Sequence, residues 1–453
     1  MYREEFGKLI KLALPLALAQ VAQNTTALVD TLMVGRLGGD SLAGIAIGAT
    51  VFQFTHLVLA GVIQSVSPIV SQAAGAQEFE KIGRSVRQGL LVAVVCAVPC
   101  FFVYWNAAPI LRWMGQDERV VEMSSGYLRA ISFGVLPALL TFSLRGLLEG
   151  LSDTRPILVI CLCGVGLNVC LNDALMFGRY GLPALGLAGT GVASLIVHTL
   201  VFLMMAGYVW KRHSQHGVFA GFPAPDPPMI VELLRVGVPI GMTIFFEFSM
   251  FAICAFAIGV VGAKQLAAHQ IAIQSASMTF MVAIGIGLAT SVRVGMFAGR
   301  RDMAGAKVAG QVGMLVAVGA MFVMAVLFWT VPETIISFYL DTGLPENRTV
   351  INFAVSFLAV AAWFQVADGL QVASSNCLRG LKETGAAMKW TLVAYWLIGI
   401  PTGVVLGFRL DRLGGWGLGW GGIGFWYGLT TGLAAAALFL TVRFHYELRR
   451  NTP

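Results

Sequence analysis

Apolar segments long enough to cross a lipid bilayer follow one another along the whole chain. A membrane-spanning helix needs about 20 apolar residues, whereas a spanning strand needs about 10 with alternating polarity, and no segment here alternates in that way. Only 12% of the 453 residues are charged, against about 25% in soluble proteins. The sequence therefore predicts an all-α integral membrane protein with twelve transmembrane helices. The predicted spans are residues 9–34, 41–66, 84–108, 124–148, 157–178, 186–210, 231–258, 266–292, 307–331, 350–376, 388–408 and 417–442.

The distribution of basic residues predicts the orientation of these spans. If the N-terminus is cytoplasmic, most of the 30 Lys and Arg residues fall in connections on the cytoplasmic side, as is typical of membrane proteins. We therefore expect twelve spans with both termini in the cytoplasm. The net charge of +7 is explained by the same basic connections, so no nucleic-acid partner is expected.

The two halves of the sequence resemble each other. A shift of 224 residues superimposes Pro15 on Pro239 and Gly35 on Gly259. Because each half has six spans, an even number, the two copies share one orientation and form a parallel repeat, as in several secondary transporters. We predict an N-terminal six-helix bundle, a cytoplasmic linker and a C-terminal six-helix bundle. They cover residues 1–210, 211–229 and 230–453, respectively.

Three carboxylates interrupt the middle of apolar spans: Asp30 in the first, Glu247 in the seventh and Asp368 in the tenth. Acids at this depth are costly and usually face a cavity or an ion pathway. The repeat does not duplicate them, since the 224-residue shift pairs Asp30 with Cys254 and Glu247 with Gln23. A functional role is therefore favoured. The alternative is an acid that is protonated or paired with Arg and only holds helices together.

A buried carboxylate can bind a proton, a sodium ion or a cationic substrate. Competition between ion and substrate for the same carboxylates would couple their exchange. Neighbouring polar side chains could supply further oxygen atoms, and aromatic rings attract organic cations through cation–π interactions, although either group could equally serve helix packing. The candidates for lining a substrate cavity are Asn168, Asn172, Gln23, Gln270, Gln274, Phe251, Phe280 and Phe364.

No motif in the sequence indicates enzymatic chemistry. A phosphate-binding GxxxxGK[ST] loop is absent, as are HExxH and GxSxG motifs, so the chain has no visible ATPase or hydrolase site. The seven cysteines lie in apolar segments without the paired spacing of a zinc site. We expect no enzymatic activity and no cofactor. The energy for transport would then come from a gradient of Na⁺ or H⁺.

Several segments together resemble the multidrug and toxic compound extrusion (MATE) family, in its NorM branch. The resemblance covers essentially the whole chain. It implies two six-helix bundles that form a V-shaped cavity, and exchange of drugs for a cation by alternating access. The segments that carry it are residues 28–35, 168–172, 186–191, 245–247, 268–270, 368–371 and 378–381.

The resemblance also implies roles for individual residues. Glu247 and Asp368 would form the cation site of the second bundle, and would hold Na⁺ if the protein is Na⁺-coupled. Asp30 would be the acid of the first bundle, near Asn168 and Asn172, with a role in coupling or substrate binding. Together these three acids are the predicted coupling residues.

The same resemblance implies the setting and the substrates. The chain would lie in the bacterial inner membrane, in contact with lipid, and would export cationic drugs and dyes, which would contribute to antibiotic resistance. A monomer is expected because one chain contains both predicted bundles. The family divides between Na⁺ and H⁺ coupling, and the sequence leaves both open. Phe364 stands where some relatives carry a Tyr beside the cation site.

Two other functions remain open at the level of sequence. An exporter of lipid-linked or polar metabolites could share this scaffold, although such proteins usually have more basic cavity residues or extra helices. A membrane receptor or assembly factor without transport activity is the second alternative. It predicts that neutralising Glu247 leaves activity intact.

Overall fold

The computed structural model describes residues 1–37, 39–221, 224–409 and 417–450. Regular structure in these ranges is helical throughout, with a π-helix at Val393–Gly399 and short 3₁₀ turns at Ser214–His216 and Pro345–Asn347. The α-helices are α1 (Tyr2–Gly35), α2 (Gly39–Ile63), α3 (Val66–Ala76), α4 (Phe79–Trp105), α5 (Ala107–Trp113), α6 (Glu118–Ser132), α7 (Val135–Gly150), α8 (Arg155–Phe177), α9 (Gly186–Arg212), α10 (Pro227–Val261), α11 (Ala263–Gly299), α12 (Met303–Thr330), α13 (Pro332–Ser337), α14 (Arg348–Gly380), α15 (Thr384–Leu392), α16 (Ile400–Gly407) and α17 (Gly422–Arg450).

The helices confirm the prediction of an all-α protein with many membrane spans. Within the described ranges, eleven helical segments are long and apolar enough to cross a membrane, and α6 with α7 makes a twelfth if this pair, bent by 50°, is one span. The segment Ala43–Ala76 combines α2 and α3, and Thr384–Gly407 combines α15, the π-helix and α16. Helices suit this environment because they satisfy their own backbone polar groups where no water is present. The chain is a multi-pass membrane protein.

Two compact units make up the structure, and two helices belong to both of them. Unit 1 consists of Met1–Ala17 and Met242–Pro453, and unit 2 of Leu18–Gly241. The first half of α1 therefore lies in unit 1, and the first half of α10 lies in unit 2. The two division points, Ala17 and Gly241, are 224 residues apart, which is the shift of the sequence repeat. The bundle boundaries predicted at residues 210 and 230 stay a prediction.

Glycines allow these half-helices to pack closely within their units. In unit 1, a methyl group on Gly285 of α11 would lie 2.4 Å from the Cα atom of Ala17. In unit 2, a methyl group on Gly237 of α10 would lie 2.1 Å from the carbonyl oxygen of Val62. Small residues are common where membrane helices meet, since they let backbones approach each other. Both contacts involve backbone atoms, so neither position has room for a side chain.

Buried ion pairs lie near helix ends in both units. In unit 1, Arg293 donates from Nη2 to Oε1 of Glu5 (2.7 Å) and from Nε to Oε2 (3.0 Å). In unit 2, Arg145 donates from Nε to Oε1 of Glu149 at 2.7 Å. A buried charge is tolerated when it is paired and hydrogen-bonded. These acids, which sequence reasoning did not single out, therefore have a structural explanation.

Polar contacts attach the predicted linker, residues 211–229, to the rest of unit 2. Arg84 donates from Nε to Oδ2 of Asp226 at 2.9 Å, and Gln88 donates from Nε2 to the carbonyl oxygen of Ala224 at 2.8 Å. The hydrogen bond from Arg84 lowers the pKa of Asp226 below its ordinary value, which favours the charged form of this carboxyl. Residues 222–223 of the linker lie outside the described residues.

Candidate functional site

Glu247 and Asp368 lie in unit 1 and interact electrostatically with each other. Glu247 is half-buried on α10, and Asp368 is 3% exposed on α14. The Oδ1 atom of Asp368 has no hydrogen-bond partner among the described residues. Arg379, further along α14, also interacts electrostatically with Glu247. The structure therefore brings together two carboxylates that are far apart in sequence, as expected, and one oxygen atom of Asp368 has no partner within the described ranges.

Tyr395 lies close to this carboxylate pair, although sequence reasoning did not select it. Its side chain is fully buried, and it interacts electrostatically with both Glu247 and Asp368. Its hydroxyl group has no hydrogen-bond partner within the described ranges. In the sequence, Tyr395 is next to Trp396 in an apolar segment, where aromatic residues are common in membrane proteins. No sequence signal distinguished it.

Aromatic rings pack beside the carboxylate pair. Phe364 is buried one turn before Asp368 on α14, and its ring centroid lies 5.7 Å from that of Trp426 and 6.0 Å from that of Phe251. His269 packs against the other side of this cluster, 5.6 Å from Trp426. Two of the predicted cavity residues, Phe251 and Phe364, thus belong to the surroundings of the acids.

The remaining candidates of unit 1 lie on α11 and are less enclosed. Phe280 is half-buried, and Gln270 and Gln274 are exposed, so the two amides do not belong to the buried cluster. Gln365 and Gln371 do: both are buried on the helix that carries Asp368, and Oε1 of each has no partner among the described residues. Buried amide oxygens near the acids are thus supplied by α14.

Asp30 forms a separate polar cluster in unit 2. Its Oδ1 atom accepts hydrogen bonds from Nδ2 of Asn168 (3.0 Å) and from Nδ2 of Asn172 (2.6 Å). All three side chains are buried, and Tyr127 of α6 interacts electrostatically with Asp30. The structure therefore brings Asp30 together with both asparagines, as expected, and adds a tyrosine that sequence reasoning missed. Hydrogen bonds to a carboxylate are strong when the acceptor is charged.

Gln23 belongs to a different contact from the one that its sequence position suggested. Its Oε1 atom accepts a hydrogen bond from Nη1 of Arg145 at 2.8 Å, and Gln20 accepts one from Nη2 at 2.7 Å. The same guanidinium group is paired with Glu149. The Gln23 amide therefore completes the hydrogen bonding of a buried arginine, and this contact explains it without a substrate.

Unit 2 also contains a pair of histidines that the sequence does not predict. The ring centroids of His56 on α2 and His198 on α9 lie 6.5 Å apart, and Phe52 stacks on His56 at 5.2 Å. The Nδ1 atom of His56 is buried without a partner among the described residues. A lone histidine in each of two distant spans carries no pattern, and only folding places the two rings side by side.

The chemistry of the acids fits a hard cation or a proton. Within the described residues, no group of three or more His, Cys, Asp and Glu side chains could hold a metal ion. That the paired carboxylates bind the coupling ion stays a prediction. Carboxylate and carbonyl oxygens suit hard cations, whereas soft thiolate ligands favour softer metals. The arrangement is therefore chemically suited to binding a cation.

Comparisons with known proteins give a consistent result. The MatE family model matches residues 15–173 and 239–405. The chain is 37% identical to the multidrug resistance protein NorM of Vibrio vulnificus, with coverage of 99% of this chain and 97% of the relative. It is 35% identical to the probable multidrug resistance protein NorM of Pseudomonas aeruginosa, with coverage of 99% and 91%.

Solved structures share the fold. The outward-facing conformation of a multidrug resistance MATE family transporter of the MOP superfamily superimposes with a TM-score of 0.89, at 17% identity, over 99% of this chain and 96% of that one. The eukaryotic MATE transporter AtDTX14 superimposes with a TM-score of 0.86, at 19% identity, over 99% and 98%. At these identities the structures establish the architecture, while the sequence relatives establish the family.

Proposed function

Because this chain belongs to the MatE family, we propose that it is a secondary active multidrug antiporter, which exports organic cations in exchange for Na⁺ or H⁺. The observation that carries the proposal is the carboxylate pair of Glu247 and Asp368, which lies among packed helices and has an acceptor oxygen without a hydrogen-bond partner in the part of the chain that the structure describes. Such a pair attracts any cation, and it is most stable when at least one of its charges is neutralised. Binding of an ion therefore changes the stability of this region.

The chemistry of exchange follows from competition. When the coupling ion occupies the carboxylates, their charge is neutralised and they attract a cationic drug less strongly. When the ion leaves, the restored negative charge attracts the drug, and the rings of Phe251 and Phe364 beside it offer cation–π contacts. A gradient of the coupling ion would then drive the drug outward, provided that the protein changes conformation only when one of the two is bound.

The proposed setting is the bacterial inner membrane, with both termini in the cytoplasm and the chain acting as a monomer. The excess of basic residues in alternate connections supports this orientation. Bacterial NorM proteins among the relatives support the bacterial setting.

The direct test is efflux of ethidium, a fluorescent organic cation, from proteoliposomes that contain the purified chain. A Na⁺ gradient and a pH gradient are imposed separately, so that the coupling ion is identified in the same experiment. Ethidium movement under either gradient supports the antiporter. Its failure to move under both gradients, with protein shown to be folded, would contradict the proposal.

Asp30→Asn is expected to slow ion-driven ethidium efflux by about tenfold. The substitution keeps the size of the side chain and an oxygen that can accept from Asn168 and Asn172, but it removes the charge that strengthens these bonds, and each tenfold effect corresponds to about 1.4 kcal/mol. Initial rates in the same proteoliposomes measure the effect.

Asp173→Asn on the same helix as the asparagines is the matched control. Asp173 is only partly buried and pairs with Arg179 at 3.0 Å, so its neutralisation should leave the rate unchanged. Equal rates for Asp30→Asn and wild type would remove Asp30 from the coupling residues.

A further inference from the structure

We propose that the hydroxyl oxygen of Tyr395 is a third ligand of the cation site and binds Na⁺ together with the carboxylates of Glu247 and Asp368. This inference rests on the proposed function, because it assigns a further ligand and one ion to the same carboxylate pair. All three residues belong to unit 1.

The hydroxyl group of Tyr395 is the first observation. A buried tyrosine hydroxyl usually has a hydrogen-bond partner, because an unpaired polar group in the interior is unfavourable. Tyr395 is fully buried, and its hydroxyl has no partner within the described residues. If the ring served packing alone, Phe would fill the same space without burying an unpaired hydroxyl group. A ligand that binds to the hydroxyl oxygen during function would offset the unfavourable free energy of burying it.

The charges around the hydroxyl group identify the kind of ligand. Tyr395 interacts electrostatically with both Glu247 and Asp368, and Oδ1 of Asp368 also has no partner among the described residues. The two acids and this hydroxyl oxygen therefore interact with one another, and Tyr395 packs in the same cluster as Phe364, one turn before Asp368, and Met250, one turn after Glu247. A cation can be shared by these oxygens, whereas an anion would be repelled and an apolar ligand would leave every oxygen unsatisfied.

The backbone around Tyr395 is the second observation. Tyr395 lies in the π-helix Val393–Gly399, within the span Thr384–Gly407. π-helical turns are rare, and they occur frequently at functional sites, because the wider turn redirects side chains that an α-helix would place elsewhere. Tyr395 lies within this π-helix, so the wider turn determines the direction in which its ring projects.

Close packing against α17 holds this turn in place. A methyl group on Gly399 would lie 3.1 Å from the Cα atom of Gly432, and one on Gly428 would lie 2.8 Å from the carbonyl oxygen of Gly399. Such close backbone contact leaves the π-helix little freedom to shift. The Tyr395 hydroxyl is therefore a fixed group that is positioned before the ion arrives, as a binding site requires.

Na⁺ fits these ligands better than a proton does. A proton binds to one carboxylate oxygen and needs no further ligand, whereas a hard metal cation replaces its hydration shell with several oxygens. Two carboxylates and one hydroxyl offer such a set. The three oxygens come from α10, α14 and the π-helix, so a bound ion would also hold these three segments together.

Binding of radioactive Na⁺ to the purified full chain in detergent tests the inference, with wild type, Tyr395→Phe and Tyr427→Phe compared. Tyr395→Phe removes a single oxygen and is expected to raise the Na⁺ concentration for half-saturation by about tenfold. Tyr427 lies exposed on α17, so Tyr427→Phe should bind Na⁺ like wild type. Equal half-saturation for Tyr395→Phe and wild type would overturn the inference, as would a wild type that binds no Na⁺.

The melting temperature without Na⁺ separates a ligand from a structural residue. As a ligand, Tyr395 costs stability when the site is empty, so Tyr395→Phe should melt at the same or a higher temperature than wild type. A lower melting temperature, or a variant that does not fold, contradicts the inference. Ethidium efflux by the wild type is measured on the same preparation: if it runs while Na⁺ binding does not depend on Tyr395, the antiporter stands and only the tyrosine assignment fails.

Discussion

Glu247→Gln and Asp368→Asn are each expected to abolish ion-driven ethidium efflux while the chain still folds. Both substitutions keep the size of the side chain and its hydrogen-bonding oxygen but remove one negative charge. Because the two carboxylates interact electrostatically and are proposed to bind one cation together, the loss of either would leave a site that attracts this cation through one charge only. Removing one member of a buried, interacting charged set typically costs several kcal/mol, and each 1.4 kcal/mol is about tenfold in affinity. We therefore expect rates to fall by about 100-fold or more.

Initial efflux rates under an imposed gradient measure the effect, with the amount of folded protein normalised by gel filtration. Glu333→Gln is the matched control, since Glu333 is exposed at the start of α13 and its neutralisation should not alter transport. The alternative of a membrane receptor or scaffold predicts no loss in either site variant. Retained efflux in both would show that these acids do not form the coupling site.

Both site variants should be at least as stable as wild type when no ion is present. Two carboxylates that interact with each other repel when both are charged, and neutralising one of them relieves this repulsion. A melting temperature well below that of wild type would indicate that the acids are structural, and the loss of transport would then carry no information about coupling.

Gly285→Ala is expected to destabilise the protein by about 2–3 kcal/mol, which is the second large effect. The added methyl group would lie 2.4 Å from both the Cα and the nitrogen atom of Ala17, so the backbone of α1 or α11 must move. The first half of α1 is held in unit 1 by this contact and by the ion pair between Glu5 and Arg293. Overpacking here therefore weakens the attachment of a whole half-helix.

The melting temperature of the purified chain in detergent measures this effect, and Gly319→Ala on α12 is the matched control. A methyl group on Gly319 would have no atom within 4 Å beyond its own helix, and Ala is more favourable than Gly inside a helix by about 0.5–1 kcal/mol. Gly319→Ala should therefore melt at the same or a slightly higher temperature than wild type. Equal melting temperatures for the two variants would show that α1 and α11 can move apart at Gly285 with little loss of stability.

The membrane spans could be predicted from sequence because a bilayer imposes a length and a polarity on every segment. The three acids could be selected for the same reason, since a carboxylate in the middle of an apolar run has no inexpensive place to lie. The grouping of Asp30 with Asn168 and Asn172 was expected from a resemblance, and the hydrogen bonds bear out their proximity. What the acids do in transport stays a prediction.

Features that depend on packing could not be predicted. Tyr395 is indistinguishable in sequence from an aromatic residue at a membrane surface. Its position in a π-helix and its interactions with two distant acids become visible only in the structure. Gln23 is a predicted cavity residue because its polar side chain could supply an oxygen near the acids, but the amide accepts a hydrogen bond from Arg145 of another helix. The local sequence also does not predict that α1 and α10 are divided between the units. The residue at which each helix passes from one unit to the other depends on the helices that each half packs against.

The divided helices also have a consequence for how the chain is made. Domains of a growing chain generally fold from the N-terminus as they are synthesised, and unit 2 ends at Gly241, so all of its parts have been made while most of unit 1 has not. The segment Met1–Ala17 is made before unit 2, yet the α11 surface that receives it, including Gly285, is made after unit 2. This segment must therefore remain in the membrane without its final neighbours while unit 2 assembles. Interrupting synthesis between the units would leave a completed unit 2 preceded by a helical segment without its partners in unit 1, and this segment is an expected point of recognition for membrane quality control.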